Sequence, residues 1–113
     1  MHYLLRGYPK YLGFRQVPQG IRGIYVCLDA NENPLYVGQS KNIRKRFGNH
    51  SRLKDICNQG FKWLVVIPVP KDDLNFSSKS IFGDVSLDRD ENKWISILNP
   101  LLNIMPVRGY GKR

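Results

Sequence analysis

Residues 22–46 read RGIYVCLDANENPLYVGQSKNIRKR, and this stretch decides the fold. The branched and aromatic side chains of residues 22–28 predict a β-strand, and residues 35–38 predict a second one. The residues between them, DANENP, are rich in the Asp, Asn and Pro that form turns. Two strands joined by so short a loop predict an antiparallel hairpin.

A helix is predicted over residues 41–50, directly after the hairpin. Ser40 is a favourable N-cap, and Ile43 and Phe47 lie four residues apart, so they share the buried face. Arg46 and His50 are also four apart and flank that face. The more exposed part of the helix carries three further cations, Lys41, Arg44 and Lys45.

The second half of the chain predicts a short helix over 51–59, a strand over 61–69 and a final helix from about Asp88 to Leu98. On that last helix Glu91 heads an apolar stripe formed by Trp94, Ile95 and Leu98. The predicted fold class is therefore α/β (α+β), with a small central antiparallel three-stranded sheet flanked by helices. We expect one domain over residues 1–113 with its core at about 22–103. It would include an irregular lead-in (1–20), a long polar loop (70–84) and a basic tail (107–113).

The charge of the chain is strongly uneven along the sequence. The whole chain carries a net charge of +9, and residues 1–62 hold eleven Lys and Arg against three acids. Residues 71–93 reverse this balance, with four basic residues against six acidic ones. A basic surface beside an acidic cluster is typical of a polyanion-binding face next to a divalent-metal ligand. A basic surface that serves only solubility is the simpler alternative.

No apolar run reaches the roughly 20 residues that cross a bilayer, and the N-terminus lacks the layout of a secretory signal. We therefore expect a cytoplasmic protein with no membrane partner.

Two short motifs, Gly23-Ile-Tyr25 and Tyr36-Val-Gly38, are separated by ten residues between the tyrosines. They resemble the paired motifs that name the GIY-YIG nuclease family. The resemblance continues through the predicted first helix, where the catalytic arginine of the family aligns with Arg46. It ends in a closing segment that aligns the metal-binding glutamate with Glu91 and a late asparagine with Asn103. Five elements in order, over roughly residues 22–103, make the resemblance specific.

The resemblance implies a DNA endonuclease that uses a single Mg²⁺ or Mn²⁺ ion and leaves 5′-phosphate and 3′-hydroxyl ends. Tyr36 would be the general base, because nearby cations can lower the pKa of a tyrosine, and Tyr25 would hydrogen-bond the water or the phosphate. Arg46 would hold phosphate oxygens, His50 would orient Tyr36 or relay a proton, and Glu91 would bind the ion. The nucleic-acid contacts are predicted at Lys41, Asn42, Arg44, Lys45 and Asn103. DNA is the expected partner, with RNA left open, and a homodimer on DNA is one way to cut both strands.

Each of these residues also has an alternative interpretation. Tyrosines favour strands, Arg46 can be one of several cations on a solvated helix face, and His50 can be a helix C-terminal residue that the dipole favours. Asn103 can be a turn residue, and Asp88-x-x-Glu91 fits a capping box in which the acid only closes the start of the helix. Asp88 and Asp90 are the other candidate ligands if Glu91 is not one. Two alternative functions remain as well: a catalytically inactive nucleic-acid-binding module with a nuclease-like fold, and an interaction protein whose basic surface is incidental.

Overall fold

A computed structural model describes residues 2–46, 52–70 and 85–104. His50, most of the long polar loop and the basic tail lie outside these ranges, as does the second half of the helix that was predicted after the hairpin.

The sheet has four antiparallel strands in the spatial order β1-β4-β2-β3. They are β1 (Lys10–Tyr11), β2 (Gly23–Asp29), β3 (Pro34–Ser40) and β4 (Phe61–Pro68). The α+β class is thus confirmed, but the prediction of three strands was wrong, because the lead-in supplies a fourth. Strand β1 has only two residues, which pair with Val65 and Leu64, and so short a strand shows no alternation that a sequence could reveal.

The predicted hairpin is confirmed, with β2 and β3 paired in antiparallel register. Tyr25 lies opposite Gly38, and Cys27 lies opposite Tyr36. Because side chains alternate between the two faces of a strand, Tyr25 and Tyr36 share one face of the sheet. Strand β3 is an edge strand, since its only neighbour in the sheet is β2.

Four α-helices lie in the described ranges: α1 (Ile43–Arg46), α2 (Leu53–Asn58), α3 (Val85–Leu98) and α4 (Leu101–Ile104). Two 3₁₀ turns, Tyr3–Leu5 and Phe14–Gln16, belong to the lead-in. Helix α3 begins three residues earlier than predicted, since Ser86 and Leu87 are already helical and buried. It ends where the sequence indicates, at Asn99, which adopts the left-handed conformation (φ 48°) that commonly terminates a helix.

Two apolar clusters cover the two faces of the sheet. On the first face, Ile24 and Val26 pack with Leu87, Trp94 and Leu98 of α3. The second face carries Tyr25 and Cys27, which pack with one residue from each surrounding element, namely Phe14, Ile43, Ile56 and Leu102. The chain therefore passes from α3 on one face to α4 on the other, around the free edge of β3.

Of the helices in the described ranges, none is both long and apolar enough to cross a bilayer.

Candidate active site

The two motif tyrosines lie together on the second face of the sheet. Their ring centroids are 6.4 Å apart, although they are diagonal rather than direct cross-strand neighbours. Gly38 makes this arrangement possible, because a Cβ at that position would overlap the Tyr25 hydroxyl and lie 2.9 Å from Cε1 of the same ring. The ring of Phe14 packs edge-on against Tyr25 from the other side, with the centroids 5.3 Å apart. Tyr25 is thereby fixed in place and is only 1% exposed.

Arg46 joins the tyrosines from the end of α1. Its guanidinium donates a hydrogen bond to the Tyr25 hydroxyl, and its positive charge also acts on Tyr36. Burial nevertheless raises the pKa of Tyr25 far above its usual value, which the hydrogen bond from Arg46 offsets only in part. The Tyr25 hydroxyl is therefore held in its neutral form, and its oxygen accepts from Arg46.

Glu91 reaches the same strand edge from the opposite face. Gln39, which lies opposite Ile24 on the α3 side of the sheet, donates one hydrogen bond to Glu91 Oε1 (2.9 Å) and one to Asp88 Oδ1 (2.5 Å). The capping-box interpretation does not hold, because Asp88 lies inside α3 and Glu91 is one turn further in. Asp90, by contrast, has an oxygen 3.6 Å from Nε of its neighbour Arg89.

The surroundings of Glu91 penalise its negative charge. Partial burial raises the pKa of its carboxyl above the usual value, and the nearby Asp88 adds to this rise, whereas Gln39 and Arg46 oppose it. Two neighbouring carboxylates that share one amide retain free acceptor capacity for a cation. Hard divalent cations prefer such oxygen donors, so the residues present fit a Mg²⁺ or Mn²⁺ ion.

Tyr36 differs from its sequence-based expectation in one respect. The nearby cations were expected to lower its pKa, but its pKa is raised, because burial and the negative charge of Glu91 outweigh the opposing effects of Arg52 and Arg46. Proximity in sequence indicated one of these cations, Arg46, but neither Arg52 nor the extent of burial.

Asn103 lies at the free edge of β3, between the tyrosines on one face of the sheet and Glu91 on the other. Its Oδ1 accepts a hydrogen bond from the Val37 amide (2.7 Å), and its Nδ2 donates one to the Val37 carbonyl (3.1 Å). The side chain thus bonds to β3 as a neighbouring strand would. Its predicted contact with nucleic acid stays a prediction, and this structural contact was not foreseen.

Asn42 ties the lead-in to the start of α1. Its Oδ1 accepts from the Gly20 amide (3.3 Å), and its Nδ2 donates to Gln19 Oε1 (3.3 Å), while the Ser40 hydroxyl accepts from the Asn42 amide (3.0 Å). The three other predicted nucleic-acid contacts, Lys41, Arg44 and Lys45, are exposed on this part of the surface.

Sequence reasoning missed three residues that shape the site: Phe14, Gln39 and Arg52. Phe14 stands in the irregular lead-in, and Gln39 is a polar residue on a strand, so neither has a pattern that points to a role. Arg52 looks like one more surface cation, yet its guanidinium carbon lies 5.9 Å from the centroid of the Tyr36 ring. All three act through contacts between elements that are distant in sequence.

The chain matches the family model described as the GIY-YIG catalytic domain over residues 21–103. It belongs to the GIY-YIG family. The searches of curated proteins and of solved structures gave no significant match.

Membership of the GIY-YIG family implies a nuclease. In this GIY-YIG domain, the residues that match the motifs meet at the β3 edge: the two tyrosines and Arg46 on one face, and Glu91 on the other. Over residues 2–46, 52–70 and 85–104, no group of three or more His, Cys, Asp or Glu side chains is placed to hold a metal ion. An ion at Glu91 would therefore take much of its coordination from water and substrate oxygens.

Proposed function

We propose that this GIY-YIG domain is a divalent-metal-dependent DNA endonuclease that leaves 5′-phosphate and 3′-hydroxyl ends. One observation carries the proposal: four residues from distant parts of the sequence lie around the same short segment of β3, namely Tyr25, Tyr36, Arg46 and Glu91. Ordinary sheet tyrosines and a solvated helix face would have no reason to converge in this way.

In the proposed reaction, a water oxygen attacks phosphorus and the bond from phosphorus to the 3′ oxygen breaks. The proton of the water passes to the phenolate oxygen of Tyr36, and the leaving oxygen takes up a proton from a solvent water to become the 3′-hydroxyl. Tyr36 suits the base role better than Tyr25, because it is partly exposed and Tyr25 is not. Arg46, held by Tyr25, would bind the phosphate oxygens, on which negative charge develops.

Glu91 would hold the divalent ion, and Asp88 would supply a second carboxylate to the same ion. Asp88 is a better candidate than Asp90, because it shares the Gln39 amide with Glu91. When bound, the ion supplies positive charge that stabilises the leaving oxygen and favours ionised groups nearby. The raised pKa of Tyr36 makes such additional positive charge necessary for a tyrosine base.

DNA is the proposed substrate because the site opens beside a cationic surface. Lys41, Arg44 and Lys45 are exposed next to Arg46, and contacts of this kind with phosphates supply most of the sequence-independent affinity for DNA. Asn42 would stabilise the surface that carries them.

The test is cleavage of supercoiled plasmid with Mg²⁺ or Mn²⁺ by the wild-type chain, Glu91→Ala and the neighbouring control Asp90→Asn. We expect nicked or linear product from the wild type and the control, at least a 100-fold lower rate from Glu91→Ala, and retained DNA binding in all three. Nicks that DNA ligase can reseal would establish the 5′-phosphate and 3′-hydroxyl ends. DNA binding without cleavage by the wild type would refute the enzyme and favour the binding module.

A further inference from the structure

Arg52 directly precedes the first residue of α2 and contacts residues of β3, α2 and α4. Its guanidinium carbon is 5.9 Å from the centroid of the Tyr36 ring. Its Nη2 donates a 2.9 Å hydrogen bond to the Leu102 carbonyl, and its Nε is 3.6 Å from Asp55 Oδ2. The side chain is only 12% exposed, so these contacts occur away from bulk water.

We propose that Arg52 is a positioning residue that holds the Tyr36 ring and the part of α4 that carries Asn103 in one fixed arrangement. The inference rests on the proposed function, in which Tyr36 must face the attacking water. Arg52 is not placed in the catalytic set itself, because its Nη2 donates to the Leu102 carbonyl and its Nε lies beside Asp55.

The contact with Tyr36 is of a kind that fixes an aromatic ring. A guanidinium within about 6 Å of a ring centroid is attracted to the face of the ring, and the attraction is stronger when water is excluded. Arginine is suited to this because its planar group can stack while its N–H groups still donate hydrogen bonds at the edge. One side chain can therefore hold the ring and bond to a carbonyl at the same time.

The contact with Leu102 extends the effect to the edge of β3. Leu102 is adjacent to Asn103, whose side chain bonds to both backbone groups of Val37, the residue after Tyr36. Arg52 and Asn103 thus approach the same two residues of β3, one through the ring and one through the backbone. Asp55, one turn along α2, helps to hold the guanidinium in place.

Two other roles for Arg52 predict different results. A contact with a DNA phosphate would raise KM and reduce the salt dependence of binding by about one counterion. A purely structural role would lower the free energy of unfolding and leave the kcat of the folded protein unchanged. A positioning role predicts a lower kcat with KM and the salt dependence nearly unchanged.

The experiment compares Arg52→Gln and Arg52→Lys, alone and combined with Tyr36→Phe, with Lys54→Gln as a control that removes the same charge from an exposed position on α2. A 1 Å displacement of a reacting group can cost about 100-fold in rate, so we expect Arg52→Gln to lose about 10- to 100-fold in kcat. Lysine keeps the charge but cannot stack, so Arg52→Lys should recover only part of this loss. If Arg52 acts through Tyr36, Arg52→Gln should have no further effect in the Tyr36→Phe background. Losses that multiply in the double variant, or a change confined to KM, would overturn the proposal.

A second readout does not depend on cleavage. The ring resonances of Tyr36, assigned by comparison with Tyr36→Phe, should shift in Arg52→Gln and stay unchanged in Lys54→Gln. Unchanged Tyr36 resonances in Arg52→Gln would refute the positioning role even if the enzyme is active. A wild-type chain that does not cut DNA would refute the proposed function, and the resonances would still decide whether Arg52 holds Tyr36.

Discussion

Replacing Asn103 by alanine removes the two hydrogen bonds that cover the free edge of β3. The Val37 amide and carbonyl, 2.7 and 3.1 Å from the asparagine side chain, lose these partners. The net contribution of one such bond is about 1 kcal/mol, and a buried donor that is left unpaired costs about 1–3 kcal/mol. Since Val37 itself is fully buried, we expect Asn103→Ala to lower the free energy of unfolding by about 2–3 kcal/mol.

The assay is urea denaturation followed by tryptophan fluorescence. Small proteins have m-values of about 1–3 kcal/mol per molar urea, so the midpoint should fall by roughly 1 M or more. Asn103→Asp should be as harmful, because it replaces the donor with a carboxylate oxygen that faces the Val37 carbonyl. The control is Asn58→Ala at an exposed position of α2, which should change stability by less than about 0.5 kcal/mol.

Native-state hydrogen exchange adds a local measurement, since the Val37 amide should exchange faster in Asn103→Ala than in the wild type. A urea midpoint of Asn103→Ala within about 0.2 M of the wild-type value would show that the two hydrogen bonds do not stabilise the edge of β3. Should DNA affinity fall while stability is unchanged, Asn103 would be a contact to nucleic acid, as the sequence suggested.

Three further predictions concern the other residues around β3. Gly38→Ala should lower the free energy of unfolding by about 1–3 kcal/mol, measured by thermal unfolding, because the new Cβ would overlap the packed ring of Tyr25. The control Gly7→Ala, which has open space around it, should change stability little. The raised pKa of Glu91 means that its contribution to stability is present below the pKa of the unfolded chain and lost as pH rises through the folded value. Without metal, Glu91→Gln should therefore be more stable than the wild type at pH 7 and lose this advantage in acid. The pKa of the Glu32 carboxyl is lowered, so Glu32→Gln should instead be less stable than the wild type at pH 7. Equal urea midpoints for Glu91→Gln and the wild type at pH 7 would contradict the burial of Glu91. If Tyr36 is the base, kcat/KM should increase about tenfold per pH unit below the pKa that Tyr36 has with the ion bound, and an unchanged rate and pH profile in Tyr36→Phe would exclude that role.

The parts of the site that the sequence predicted are those fixed by local pattern. The spacing of Tyr25 and Tyr36 on a short hairpin determines that they share a face, and the four-residue period places Arg46 beside them. What the sequence could not show are contacts between distant elements, such as Gln39 with Asp88 or Arg52 with Tyr36. No local propensity encodes these contacts, because each depends on how α2 and α3 pack against the sheet.

Burial is the second quantity that the sequence left undetermined. Of the cations near Tyr36 the sequence identified Arg46, but the sign of the pKa shift of Tyr36 depends on how much water the packed elements exclude. The start of α3 was misjudged for a similar reason, since its first turn buries Leu87 against the sheet. The two-residue strand β1 exists only because β4 offers it a partner.

The asparagine on the edge of β3 also bears on how two copies of this chain can meet. An exposed edge strand is a template for pairing with another chain, and natural proteins block such edges to avoid aggregation. Here the side chain of Asn103 already uses the amide and the carbonyl of Val37, at the middle of the strand. A second copy cannot extend the sheet at this point unless Asn103 leaves, so a dimer that cuts both strands of DNA would have to assemble through another surface. The same side chain that supports the candidate site thereby hinders edge-to-edge pairing between the sheets of two copies.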